Sequence, residues 1–274
     1  MGDMRAGMLG TSLKGKVVLL VSVAEDLGYE LGTSLAKHGC RIVLAGRSSE
    51  IRTASDSIKA LGYGSEAVGE VELDVRGGEA SIDASVGQAW DIFGTIDVLL
   101  YCSAVPGALK SPLDHTESDW DETMTVNLKA PWLVARAVAQ RMKSSEKLGS
   151  ILFVSYISGL DRGFTPGVSV HGTALAGLHQ LTKFMGMELG KYGIMVAAVA
   201  RGLSKTDPLL ASRSEQQMQE AAKKMPLNRW THPVRDIEGL IAFLASDNAH
   251  YSTSSIFIAD GGQSLPRPRM KSYL

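Results

Sequence analysis

Cysteine is scarce in this chain of 274 residues, which carries two, Cys40 and Cys102. Both fall in or beside apolar runs that read as buried strands. Two thiols are too few for a disulfide framework, so a reducing compartment, by default the cytoplasm, is expected. No stretch of about 18 apolar residues offers a membrane span. Met1 to Ser12 lack the apolar run of a secretory signal, and Ala6 stands where a myristoylation motif requires Ser or Thr. The final Ser-Tyr-Leu only faintly echoes a peroxisomal tail. An excess of one charge is absent as well: 28 Lys and Arg face 29 Asp and Glu, a net charge of -1. Without a long basic run, nucleic acid and membrane surfaces are set aside as main partners, and small molecules and protein partners remain.

The chain does contain a regular alternation. Short apolar runs, Val17 to Val21, Arg41 to Ala45, Ala67 to Leu73, Ile96 to Cys102, Ile151 to Ser155, Ile194 to Val199 and Ile256 to Ala259, are separated by amphipathic stretches. The runs are rich in Val, Ile and Leu without polar alternation, as parallel strands covered on both faces must be. Leu27, Leu31 and Leu35 share one face of a helix between the first two. The pattern predicts an α/β fold: a Rossmann-type, doubly wound sheet of about seven parallel strands flanked by helices, in one domain over residues 1–274. With 45% hydrophobic residues the core can be large. Two long helical stretches, Trp120 to Lys143 and Val170 to Lys191, flank the fifth strand. Paired helices of this kind often form an interface, so a homodimer or homotetramer is expected. Lys205 to Lys224 mix Pro, Ser and charge with helical spacing and read as a substrate lid. In such sheets ligands bind beyond the carboxyl ends of the strands, where strand order reverses.

The frame that runs from Gly15-Lys16-Val17-Val18 through Gly46-Arg47, Leu73-Asp74-Val75, Asp97-Val98-Leu99 and Asn127-Leu128 to Asp260-Gly261-Gly262 resembles the short-chain dehydrogenase/reductase family along nearly the whole chain. The run Phe243 to Asp247, followed by Tyr251, is similar to plant tropinone-reductase-like members. The family's first strand leads into Thr-Gly-x-x-x-Gly-x-Gly, whose glycines admit a pyrophosphate at a helix N-terminus. Here the stretch reads Val21-Ser22-Val23-Ala24-Glu25-Asp26-Leu27-Gly28. A carboxylate about 4 Å from a phosphate costs on the order of 4 kcal/mol at a partly screened site, near a thousandfold in affinity. Glu25 and Asp26 also suit a helix cap, and both roles hold together: the cap takes the place of the pyrophosphate. Arg47 resembles the basic residue that NADP-preferring members aim at the 2′-phosphate, and Asp74 resembles their adenine contact; a solvated loop charge and a strand-end cap are equal readings.

The family's Asn-Asn-Ala-Gly after the fourth strand is Tyr101-Cys102-Ser103-Ala104 here. Its catalytic Ser, Tyr and Lys are also replaced. Tyr156 falls at the Ser position, with Ser155 beside it in an alternative register, and Tyr-x-x-x-Lys becomes His171-Gly172-Thr173-Ala174-Leu175. An imidazole with an ordinary pKa of about 6.5 suits acid–base work, whereas leucine can neither tune a neighbour nor bond a ribose. Arg201-Gly202 replaces the Pro-Gly that follows the sixth strand, and Asn127 matches the family's proton-relay Asn, or serves a helix irregularity.

These replacements lead to an expectation of non-redox chemistry: a cyclase, isomerase or lyase acting on a small, largely apolar metabolite of plant specialised metabolism, with no nicotinamide cofactor and no metal. His171, Tyr156 and Asn127 are its expected catalytic residues, and Tyr101, Ser103, Ser155, Arg201 and Leu203 its expected substrate contacts. Two alternatives stand beside it. One is an NADPH-dependent reductase that holds the adenosine end through Arg47 and Asp74. The other is a non-catalytic subunit that binds a small molecule or pairs with an active homologue.

Overall fold

The computed structural model describes residues 13–21, 25–62, 67–102, 104, 105, 107, 109–161 and 166–265, apart from the side chains of Glu25, Asp26 and Glu50. Seven parallel strands form one sheet: β1 (Val17–Val21), β2 (Arg41–Gly46), β3 (Val68–Glu72), β4 (Val98–Tyr101), β5 (Gly149–Tyr156), β6 (Ile194–Arg201) and β7 (Ser255–Ala259). Their spatial order is β3-β2-β1-β4-β5-β6-β7, so the winding reverses between β1 and β4, as the expected doubly wound architecture requires.

Alternation along β1 explains the layers. Val17, Leu19 and Val21 face one core and Val18 and Leu20 the other, and all five are buried. Each such side chain contributes about 1.5–3 kcal/mol on burial. The second core is closed by α1 (Glu25–Lys37) and α2 (Ser48–Ala60), with Leu27, Leu31, Leu35 and Ile58 turned inward, and by a C-terminal helix introduced below. The first is closed by α3 (Gly78–Phe93), α5 (Ala130–Ser144) and α6 (Ser169–Leu189), with α4 (Glu117–Met124) packed against α6.

The stretch expected as one helix from Trp120 is interrupted. Thr125–Lys129 form a π-helical turn between α4 and α5, closed by a bond from Ala130 N–H to the Thr125 carbonyl. Pro131 is the physical reason: it has no N–H to give to the carbonyl of Asn127 four residues back, so the ladder must widen there. The expected lid is ordered as a short turn, Pro208–Leu210, and α7 (Glu215–Lys223), whose N-terminus is closed by reciprocal bonds between Ser214 and Gln217. Helix α8 (Glu238–Ala245) then leads to β7. After β7, Asp260 accepts from Gly262 N and Ser264 N, a tight turn in which Gly262 adopts φ +84° against Pro226.

Gly159, in the turn that leaves β5, lies against the backbone of α6. A Cβ placed there would sit 2.7 Å from Leu175 Cβ and 2.8 Å from its carbonyl carbon. Helix backbone cannot yield as a flexible side chain does, so Gly159→Ala is expected to lower the urea-unfolding free energy by about 1–3 kcal/mol. Gly190→Ala, where a Cβ meets no heavy atom within 4 Å, is expected to leave it unchanged or slightly raised; equal effects at the two positions would contradict this packing.

Candidate active site

The carboxyl ends of β5 and β6 carry a buried polar cluster. Successive strand residues point to opposite faces, so Ser155 and Tyr156 have different surroundings. Ser155 is turned into the sheet's first core, its Oγ 2.9 Å from His179 Nε2, and the backbone of Gly159 bonds the same ring. Ser155 is therefore a buried structural hydroxyl, which corrects its expected role as a substrate contact. The Tyr156 ring packs edge-on against His171 with centroids 5.9 Å apart, and the Arg201 guanidinium lies over the same ring, 4.2 Å from its centre.

Arg201 ends β6 and is 3% exposed. A buried guanidinium must be compensated, and Asp207 does this: Arg201 Nη2 donates to Asp207 Oδ1 at 2.6 Å and Nη1 to Oδ2 at 3.1 Å. Nη2 also donates to the Tyr156 hydroxyl at 2.8 Å, and Nη1 to the Gly202 carbonyl at 3.0 Å. Asp207 Oδ2 further accepts from Ser204 N, which closes the loop that follows β6. Burial raises the Tyr156 phenol above its ordinary pKa, with the Arg201 charge opposing the rise.

His171, Leu175 and His179 follow at intervals of four along α6 and so share its inward face. All three are buried. Burial pushes the His171 imidazole down to about 4, so the ring is neutral at pH 7. Its Nδ1 stands 3.4 Å from Asn127 Nδ2, and its Nε2 is buried with no partner among the described residues. Asn127, held in the π-helical turn, clasps the segment after β4: Oδ1 accepts from Val105 N at 2.9 Å and Nδ2 donates to the Val105 carbonyl at 2.8 Å. His171, Tyr156, Asn127 and Arg201 are thus brought together as the sequence suggested.

Other expected contacts lie elsewhere. Tyr101 is a core residue, not a substrate contact: it is buried in the first core, its ring against Phe153, and its hydroxyl donates to the Val126 carbonyl. Leu203 is half-buried, its N–H and carbonyl both engaged by the Gln263 side-chain amide. Ser103 and the loop Ser22 to Ala24 lie outside the described residues, as do the side chains of Glu25 and Asp26. Asp207 and His179 were missed by sequence reasoning. Asp207 before Pro208 carries an ordinary helix-start signal, which conceals its pairing with Arg201, and His179 has only its spacing to mark it. Among the described residues no group of three or more His, Cys, Asp or Glu is arranged to hold a metal.

Beyond β2 and β3, Arg47 and Asp74 stand exposed at the same edge of the sheet. Asp74 Oδ1 accepts from Arg76 N, as a turn residue does.

Comparison with known proteins agrees with this architecture. The family model described as enoyl-(acyl carrier protein) reductase matches residues 23–264. Oxidoreductase UcpA of Salmonella typhimurium is 32% identical over 262 residues, 93% of this chain and 96% of that protein. L-rhamnose 1-dehydrogenase (NAD(P)(+)) of Azotobacter vinelandii is 32% identical over 255 residues, 90% and 96% of the two chains. The crystal structure of a short-chain type dehydrogenase/reductase from Mycobacterium marinum superposes with a TM-score of 0.82 at 25% identity, over 94% of this chain and 98% of that one.

These relatives overturn the expectation of a cofactor-free cyclase, isomerase or lyase. Proteins similar across nine-tenths of the chain are named oxidoreductases and dehydrogenases, one with NAD(P)(+) in its name. Loss of motif residues at Leu175 and before Leu27 was too local a signal to reassign the chemistry of the whole fold. With a family model over residues 23–264 and relatives matched over most of its length, the chain belongs to the short-chain dehydrogenase/reductase family.

Proposed function

We propose that the chain is an NAD(P)-linked oxidoreductase that interconverts a small carbonyl compound and its alcohol, with NADPH as the cofactor form its residues favour. The observation that carries this reading is His171: a buried imidazole whose Nε2 has no partner among the described residues, at the helix position that corresponds to the family's proton-transferring tyrosine and beside the ends of β5 and β6. The full-length oxidoreductase relatives support it.

The residues present fit a nicotinamide dinucleotide at both ends more than in the middle. Arg47 and Asp74 would hold the adenosine part, and the buried unpartnered atoms His171 Nε2 and Arg201 Nε mark the reacting end as a place for a ligand. Leu175 offers the adjoining ribose no donor, a loss of about 1–3 kcal/mol or about 5- to 150-fold in affinity. When bound, the nicotinamide supplies or takes up the hydride. Tyr156 and Arg201 orient the substrate oxygen, and the Val105 backbone, itself clasped by Asn127, holds the imidazole in the tautomer protonated at Nδ1. In alcohol oxidation, His171 takes the hydroxyl proton at Nε2 in the tautomer protonated at Nδ1. Burial makes this imidazole a weaker base than a free one, so turnover is slow beside that of a lysine-tuned tyrosine.

Residues 205–224 act as the lid over this site within a single domain. The face of α4, α5 and α6, where Trp132 and Phe184 are exposed beside Leu128 and Leu181, supports a homodimer or homotetramer. No helix among the described residues is long and apolar enough to cross a membrane, and a cytoplasmic location suits the two thiols. A tropinone-reductase-like substrate preference is the finer reading suggested by the Phe243 to Asp247 run.

Two measurements check this. In NADPH-linked turnover of a carbonyl panel, His171→Ala is expected to lower kcat by about 100-fold or more with little change in KM; undiminished kcat would remove His171 from the mechanism. Acid stability checks the buried rings. Burial lowers both His171 and His179 to about 4, from an ordinary 6.5. Between those values the unfolded chain binds more protons, so stability is complete above pH 6.5 and falls as pH drops towards 4. The slope is about 1.4 kcal/mol per pH unit for each ring. The urea midpoint is expected to fall between pH 7 and pH 5, and less so in a His171→Asn, His179→Asn double variant; equal slopes would contradict the burial of neutral rings.

A further inference from the structure

Arg201 has five N–H donors. Four are accounted for: Nη1 serves the Gly202 carbonyl and Asp207 Oδ2, and Nη2 serves Asp207 Oδ1 and the Tyr156 hydroxyl. The fifth, on Nε, is buried and has no partner among the described residues. A buried donor left unpaired in a native site calls for an acceptor. The surroundings determine what kind of acceptor fits. Asp207, itself buried, places a full carboxylate against the guanidinium, so the pair as a whole carries no net charge. Tyr156 lies against the same guanidinium, and the nearby His171 is a neutral ring. A carboxylate entering here would lose its water and meet a cation already neutralised, which is a net cost. A ketone, aldehyde or alcohol oxygen loses far less on entry and can accept the one remaining N–H.

We propose that Asp207 is a positioning and specificity-determining residue: it holds Arg201 against Tyr156 and cancels its charge, so that the site admits an uncharged carbonyl or hydroxyl compound and rejects a carboxylated one. This deepens the oxidoreductase reading by naming the substrate class, and it assigns Arg201 the role of a neutralised hydrogen-bond donor in place of an anion anchor. Removing the Asp207 charge unmasks the guanidinium and reverses the preference.

The test compares two probes that differ by a carboxylate, acetophenone and benzoylformate, through ligand-induced thermal stabilisation of the wild-type chain and of Asp207→Asn. No cofactor or turnover enters the readout, so failure of NADPH-linked activity and failure of this proposal are separate results. The wild type is expected to be stabilised by acetophenone and not by benzoylformate. Asp207→Asn is expected to bind benzoylformate at least about tenfold more tightly than the wild type does, tenfold being about 1.4 kcal/mol. Benzoylformate binding to the wild type as tightly as acetophenone, or an Asp207→Asn variant that benzoylformate does not stabilise, overturns the proposal. If Asp207→Asn does not fold, Asp207→Ala is refolded with acetate, which can refill the carboxylate position. Recovery that depends on acetate and not on chloride supports the pairing, and no such dependence overturns it.

Discussion

A cation taken out of water at the end of β6 organises the reaction site. Family members carry proline where this chain has Arg201, and a proline asks nothing of its neighbours. A buried guanidinium asks for a carboxylate and for acceptors on nearly every N–H. Asp207 supplies the carboxylate and fixes the turn that follows β6, and Gly202 supplies a carbonyl. Tyr156, in the place of the family's serine, supplies both a hydroxyl and an aromatic face. Replacing Asp207 or Tyr156 alone would leave a charge or a donor stranded in the interior. The substitutions at 156 and 201, which look like independent losses in the sequence, are coupled physically.

A second constraint comes from α6. Its inward face is set by helical period, and along it His171 and His179 are neutral while Leu175 packs against Gly159. Where the family has its charged lysine this chain has the buried Leu175, and the position of the family's tyrosine holds an imidazole that burial keeps uncharged. Under the proposed reading such a site is expected to be slower than one with a lysine-tuned tyrosine, and it needs the same elements: a group that exchanges a proton, an asparagine that holds the segment beside it, and a polar anchor for the substrate oxygen. The kinship with named oxidoreductases over nine-tenths of the chain is consistent with altered rather than abandoned redox chemistry.

Much of the fold was legible because parallel strands buried on both faces are written as contiguous apolar runs. Val17 to Val21 coincides with β1, and Ile194 to Val199 lies within β6. The break in the helix after Trp120 was less visible, although Pro131 marks it in retrospect. At the site, the gathering of His171, Asn127, Tyr156 and Arg201 followed from family spacing, because strand ends and the α6 face place those positions together in any chain with this winding. Tyr101 was expected to touch the substrate because it stands at the end of the fourth strand, but its ring lies in the core and Val126 satisfies its hydroxyl there. Asp207 escaped notice because ion pairing across a loop has no period in sequence. The expectation of cofactor-free chemistry failed for a related reason: it read replaced motif residues one at a time, without the partners that compensate them.

Isothermal titration of the chain with NADPH and NADH tests the central reading most directly, since it asks whether a dinucleotide binds at all. Saturable binding of NADPH with a Kd below about 1 mM, about -4 kcal/mol, is expected. NADPH should bind tighter than NADH, with the difference lost in Arg47→Ala. No heat of binding from either cofactor at millimolar concentration would contradict the account.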